Sequence, residues 1–243
     1  MDRKIKEIED IAKLDIFRDK RCGIPEFILA EGKNPEDVFT LLIAMAREKG
    51  KAMATRVDKK CLNRISKGIT QRFRLKYYEK ARMAVLTKKD YLKKRVSGKI
   101  GILAAGTSDI PVAEEARITC QELGCEVLHA YDVGVAGLHR IFSPLEKLLK
   151  ENVACIVVVA GMEGALPTVV KSLVDVPVIG VPTSCGYGYG GKGKAALMTM
   201  LQSCSPGLVV VNIDNGFGAA CAAFLIAGQS KICNTVAVLQ KRK

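Results

Sequence analysis

From residue 99 onward, short apolar runs rich in β-branched residues alternate with longer stretches whose apolar positions recur at helical spacing. Residues 99–105, 126–131, 155–160, 176–181 and 208–212 read as five strands. Residues 111–123, 139–150, 166–173, 194–202 and 217–227 read as the helices that follow them. Strands apolar along most of their length need cover on both faces, and the intervening helices supply it. The pattern therefore predicts an α/β domain built on a parallel sheet, with ligands expected at the carboxyl ends of its strands. Before residue 99 the periodicity is weaker. A helix is predicted over 35–50, with Asn34 as its cap, Pro35 in its first turn and Gly50 as its stop. A short strand over 52–57, a helical turn over 63–69 and one strand over 75–86 complete a small α+β unit.

Charge divides the chain at the same place. Residues 1–99 hold 27 lysines and arginines against 14 acids, whereas residues 100–243 hold 11 of each, so the net charge of +13 belongs to the first part. The charged stretch over 88–99, ending in Ser-Gly-Lys, reads as a linker and sets expected domains of 1–97 and 98–243. A basic region attracts phosphates in general, but no nucleic-acid reader motif accompanies it and aromatics are only 5%, so no nucleic-acid partner is expected. The longest apolar stretches, over 153–162 and 217–228, reach about half the ~20 residues that span a bilayer. The opening MDRKIKEIED lacks a secretory pattern, so a soluble, cytoplasmic protein with no membrane partner is expected. The nine cysteines include no Cys-x-x-Cys pair and no zinc-ligand spacing, which fits a reducing compartment.

The chemistry is concentrated in five loops at the predicted carboxyl edge: Gly106-Thr107-Ser108-Asp109, the loop over 132–137, Gly161-Met162-Glu163-Gly164, Pro182-Thr183-Ser184 with Gly186, and Asp214-Asn215-Gly216. Small residues let backbone approach a ligand, and hydroxyls and amides before helices suit anions. Residues 186–194 (GYGYGGKGK) match both a dinucleotide fingerprint and a phosphate-binding P-loop imperfectly. The first match lies after the fourth strand instead of the first, and Gly193 stands where the second needs Ser or Thr, so a flexible basic flap over a phosphate is the better reading. Of the two histidines, His129 alternates within a strand and reads as structural. His139, beside Arg140, reads as a proton-transfer or anion-binding group or as a helix cap. Cys221 follows Asn-Gly-Phe-Gly at the start of a predicted alanine-rich helix, where peptide dipoles favour thiolate and small neighbours leave room for a flat ring. The competing reading is a small buried residue in that helix.

The motifs GTSD, DVGVAGLHR, VVVAGMEGALPTVV, PVIGVPTS and NIDNGFGAACAA, with RCGIPEFILAEGK and ATRV near the start, resemble the LarB family, the carboxylase/hydrolase of nickel-pincer nucleotide biosynthesis. The resemblance spans nearly the whole chain, and its C-terminal half is also similar to the purine-pathway PurE carboxyaminoimidazole ribonucleotide mutase. The mutase pattern departs from this chain in having a histidine where it reads GMEGALP and in having no counterpart to Cys221. The resemblance implies a flavodoxin-like, three-layer PurE-type domain and a small dinucleotide substrate, nicotinic acid adenine dinucleotide. That substrate would be carboxylated on its pyridinium ring and cleaved to pyridinium-3,5-biscarboxylic acid mononucleotide and AMP. Cys221 matches the cysteine that adds to the ring. Ser108 and Asp109 match the loop that contacts the ribonucleotide or serves as base, and His139 with Arg140 matches a phosphate-binding or proton-handling loop. The resemblance further implies carbon dioxide or bicarbonate as co-substrate, no tightly bound cofactor, magnesium only with the substrate's pyrophosphate, and a homo-oligomer, an octamer. Two rival readings are a purine-pathway carboxylase/mutase with an added domain and a noncatalytic nucleotide- or nucleic-acid-binding module.

Overall fold

A computed structural model of the chain describes residues 5–8, 10–93 and 98–240. The chain forms two compact units, Met1–Lys93 and Lys94–Lys243. Part of the stretch read as a linker, residues 94–97, lies outside the described residues.

The first unit opens with an antiparallel pair, β1 (Ile5–Ile8) and β2 (Ala12–Asp15), followed by α1 (Arg18–Cys22) and β3 (Ile28–Leu29). α2 (Pro35–Lys49), β4 (Lys51–Thr55), α3 (Lys59–Gly68), β5 (Phe73–Tyr78) and β6 (Met83–Lys88) complete it. The larger sheet runs β3-β4-β6-β5, and Val38, Leu42, Ile65 and Leu86 pack into the core on its covered face. α2 ends where local chemistry dictates: the Asn34 side chain accepts from Glu36 N–H at 3.1 Å, and Gly50 takes a left-handed φ of 78° that lets its N–H reach Ala46.

Two expectations for this unit need correction, and its opening strands go unread. The single strand predicted over 75–86 is a hairpin, β5 and β6, whose turn is closed by Arg82 N–H donating to Glu79 O at 3.1 Å. That turn contains no Gly, Asn or Pro, and Arg82 itself adopts φ 50°, so no sequence signal marks it. The helical turn expected over 63–69 is a full helix, capped by Asp58 Oδ1 accepting from Cys61 N–H at 2.7 Å. β1 and β2 are four residues each and interleave charges with single apolar residues, too short a pattern to read as strands.

The second unit contains β7 (Lys99–Ala104), α4 (Ile110–Leu123), β8 (Glu126–Ala130), α5 (His139–Lys150), β9 (Cys155–Ala160) and α6 (Leu166–Ser172). β10 (Val178–Pro182), α7 (Lys194–Leu201), β11 (Leu208–Val210) and α8 (Gly216–Gln240) follow. All neighbours in the five-stranded sheet are parallel, in the order β11-β10-β9-β7-β8. Successive residues of β9 point to opposite layers. Val157 and Val159 meet α4 and α8 through Ala116, Cys120, Ala220 and Ala223, while Ile156 and Val158 meet α5, α6 and α7 through Leu145, Leu148, Val170 and Met200. This is the three-layer α/β architecture of flavodoxin type. α8 is longer than the helix predicted over 217–227, and Gly228 does not stop it. Its start packs closely on α4: a side chain on Gly216 would stand 2.3 Å from the Val112 carbonyl oxygen, so only glycine fits. Among the described residues, no helix is long and apolar enough to cross a membrane.

Candidate functional site

The chain runs outward from β7 to β8 and then crosses back to β9, so the loops leaving β7 and β9 diverge at the carboxyl edge. A cavity of about 420 Å³ opens between them. Gly106, Ser108 and Asp109 form one wall, and Gly161, Met162 and Glu163 the opposite one. Asp132, Val135 and Arg140 enter from the loop after β8, and Cys185, Gly186 and Tyr187 from the loop after β10.

Asp109 anchors the cavity. Its carboxylate is only 4% exposed, yet both oxygens are satisfied: Oδ1 accepts from Thr183 Oγ1 at 2.7 Å and Oδ2 from Gly106 N–H at 2.9 Å. Gly161 makes that junction possible, since a Cβ there would stand 2.4 Å from Cys185 O, 2.6 Å from Thr183 Oγ1 and 3.0 Å from Asp109 Oδ1. The Cys185 thiol donates to the Ser108 carbonyl at 3.2 Å, and Met162 N–H donates to Cys185 O at 3.0 Å, so the loops after β7, β9 and β10 are tied together. Arg140 Nη1 donates to Asp132 Oδ2 at 2.7 Å, and both side chains remain substantially exposed. Asp132, Met162 and Asp214 take positive φ without being glycine, of 57°, 50° and 56°, in loops at this edge. Strained backbone of this kind persists where surrounding structure holds it, and it concentrates in binding sites.

The predicted site residues divide into wall and support. Gly106, Ser108, Asp109, Arg140, Gly161, Met162, Glu163 and Gly186 line the cavity, whereas Thr107, His139, Gly164, Pro182, Thr183, Ser184, Asp214, Asn215, Gly216 and Cys221 do not. Thr183 holds Asp109. Asp214 Oδ1 accepts from Ser184 N–H at 2.8 Å, and Asn215 Oδ1 accepts from Gly218 N–H at 2.8 Å as the cap of α8. Glu115, 5% exposed, also serves that helix start by accepting from Phe217 N–H at 3.2 Å. His139 is the exposed first residue of α5, and Leu138 occupies the cap position. His129 lies on β8 with its ring 4.9 Å from that of Tyr131, its pKa lowered by burial and by nearby Arg117. Sequence reasoning misses Asp132, Cys185 and Tyr187 as wall residues, although each belongs to a loop that the glycine pattern marks.

Cys221 is half-buried in the second turn of α8, beyond the first turn where the helix dipole acts most strongly. It belongs to a neighbourhood of thiols. Burial, with Cys125, Cys155 and Cys221 nearby, holds the Cys120 thiol well above its ordinary value, and burial pushes Cys155 up to about 12. Cys120 and Cys155 are therefore protonated at neutral pH, and they donate to the α8 carbonyls of Ala220 and Ala223 at 3.8 Å each.

Residues 99–243 match the family model of AIR carboxylase, which together with the five-stranded parallel sheet defines a PurE-like enzyme of the carboxylase/mutase type. Residues 5–89 match the LarB/PurE-like N-terminal domain. The chain belongs to the LarB family, with a PurE-like C-terminal domain. An uncharacterized protein of Methanocaldococcus jannaschii is 49% identical over 224 residues, covering 91% of this chain and 86% of the relative. The N5-carboxyaminoimidazole ribonucleotide mutase of the same organism is 35% identical over 130 residues, 52% of this chain and 77% of the relative. That of Pyrococcus horikoshii is 31% identical over 133 residues, 53% and 72% respectively.

Proposed function

We propose that this protein carboxylates the pyridinium ring of nicotinic acid adenine dinucleotide and hydrolyses its phosphoanhydride, yielding pyridinium-3,5-biscarboxylic acid mononucleotide and AMP, the first step of nickel-pincer nucleotide biosynthesis. The observation that carries this reading is the union on one chain of the LarB/PurE-like N-terminal domain and the AIR carboxylase domain. Pyridinium is electron-poor and does not attack carbon dioxide. In this reading the Cys221 thiolate adds para to the ring nitrogen, forming a carbon–sulfur bond and a neutral dihydropyridine whose vacant meta carbon is an enamine nucleophile. That carbon bonds to carbon dioxide and loses its proton to a base, for which Asp109 is the assigned group. The ring then expels thiolate and regains aromaticity. Water supplies the hydroxyl that cleaves the phosphoanhydride. Arg140 holds phosphate.

The reading carries magnesium on the substrate's diphosphate, where a divalent cation neutralises developing charge. Cys221 lies outside the cavity walls within one chain, so the reading includes a homo-oligomer in which α8 of one copy completes the cavity of another. Mixing inactive Cys221→Ser protein with inactive Asp109→Asn protein then restores part of the activity, and no restoration refutes shared sites.

The mutase relatives favour a second reading, an aminoimidazole ribonucleotide carboxylase/mutase, but they align with only about half of the chain. Incubation with bicarbonate and each nucleotide, followed by mass spectrometry, separates the two. The biscarboxylated mononucleotide with AMP is the expected result, and turnover of the aminoimidazole ribonucleotide alone overturns it.

A further inference from the structure

The N-terminal unit has a cavity of its own, about 740 Å³, within the usual size range of small-molecule sites. Arg47, Arg72, Lys88 and Lys89 line it, with Asp90 as its one carboxylate and Thr70 and Phe73 between them. Three separate segments bring the cations together. Arg47 comes from the last turn of α2. Phe73 and Lys88 pair at the open end of the β5–β6 hairpin, and one residue further out Lys89 N–H donates to Arg72 O at 3.2 Å.

Elsewhere in this unit, several cations pair in place, while others, such as Lys59 and Lys60, stand exposed on the surface. Lys6 pairs with Glu48, Arg21 with Asp15, Lys49 with Asp19, Arg56 with Glu31 and Arg64 with Glu36. The four cations of the cavity have no ion pair among the described residues. Composition explains why: residues 51–93 contain 14 lysines and arginines but only three acids, Asp58, Glu79 and Asp90. Asp58 is committed to capping α3. Concentrating like charge around a concavity costs self-repulsion that an anion relieves.

We propose that this cavity is a second ligand site that binds a diphosphate group, either free or as part of a nucleotide. Two guanidinium forks and two ammonium groups suit the many oxygens and the charge of adjacent phosphates better than they suit a single carboxylate. Phe73 is only 8% exposed, so the site offers charge and not a surface on which a base stacks, which disfavours single-stranded nucleic acid. The proposal stands apart from the carboxylation reading and needs no turnover.

The test is calorimetric titration of the full chain with inorganic pyrophosphate, ADP and inorganic phosphate in phosphate-free buffer, at low and at 150 mM salt. Saturable pyrophosphate binding is expected. Arg72→Ala/Lys89→Ala and, separately, Arg47→Ala should weaken it by about tenfold or more, as loss of charge-assisted contacts does. Lys59→Ala/Lys60→Ala removes two exposed cations of the same unit outside the cavity and should leave affinity within about twofold, while Arg140→Ala, at the residue assigned to substrate phosphate, tells binding in the other cavity apart. ADP binding as tightly as pyrophosphate identifies a nucleotide diphosphate, and pyrophosphate binding much more tightly identifies the free anion. No saturable binding overturns the proposal. So does equal weakening by both double variants, which means diffuse charge, or loss on Arg140→Ala alone. An oligonucleotide that binds more tightly than pyrophosphate with the same variant dependence also overturns it, in favour of a nucleic-acid surface.

Discussion

The two units handle charge in opposite ways. In the first, Glu7, Asp15, Asp19, Glu31, Glu36 and Glu48 pair with lysine or arginine, and four further cations line a cavity between α2 and the β5–β6 hairpin. In the second, charge balances overall, and the carboxylate that anchors the cavity, Asp109, is buried and held by a hydroxyl and a backbone N–H. Exposed ion pairs contribute little to stability, whereas a buried acceptor that loses its donor costs more. The first unit thus rests on its apolar core and leaves its charges for other uses, while the second builds its site into the packing of a doubly covered sheet. The same contrast appears in the sheets. β9 is buried along its whole length, but β5 alternates exposed and covered positions.

The largest effect expected is on chemistry in the second unit. Cys221→Ser should retain fold and dinucleotide binding yet lower ring carboxylation by three orders of magnitude or more, on the scale of losing a covalent nucleophile. Product quantified by mass spectrometry checks this, and near wild-type turnover removes the cysteinyl adduct from the mechanism. Next in size is a test of whether the units are energetically separate. Leu42→Ala, at a fully buried position of α2, should cost the first unit about 2–5 kcal/mol. Hydrogen exchange should then show lost protection in α2, β4 and β6 while β7–β10 keep theirs; equal loss in both units would erase the division.

Thr183→Val should cost the second unit about 1–3 kcal/mol in urea unfolding, because it strips the donor from buried Asp109 Oδ1. Its counterpart in the first unit, Arg64→Ala at an exposed pair, should cost less than about 1 kcal/mol. A reversed order would mean that surface pairing, not burial, governs both units. Alkaline pH sharpens the contrast. Cys155 has its thiol raised from 9.0 to about 12 in the folded chain, so its contribution is fully present below pH 9.0 and is lost as pH rises toward 12. Cys155→Ala should flatten the fall of Tm with pH in that window even though it lowers Tm at neutrality. The smallest effect expected is at the rim. Arg140→Ala should raise KM severalfold with little change in kcat or stability, and added salt should narrow the difference from wild type.

Much of the second unit was legible because local and tertiary demands coincide there. Continuous β-branched runs such as residues 155–160 need burial on both faces, and the helices that provide it are adjacent in sequence. The glycine-rich loops after β7, β9 and β10 likewise announced a ligand edge. The first unit was less legible, since β1 and β2 are short and half-polar and the β5–β6 turn lacks turn residues. α2 is the exception, because Asn34, Pro35 and Gly50 write its ends into the sequence.

Alternating apolar runs and helices determined the parallel α/β class, the glycine loops determined which sheet edge carries the cavity, and the uneven lysine and arginine content determined which unit is basic. Only the tertiary structure decided that Thr183, 74 residues distant, would hold Asp109, and that Arg47 would meet Arg72 and Lys89 around one cavity. It alone also set Cys221 among the thiols of α4 and β9 instead of in the cavity wall. The physical reason is range. Periodicity, caps and loop composition report on neighbours within a few residues, whereas a site is assembled by packing that joins segments whose meeting no local pattern encodes.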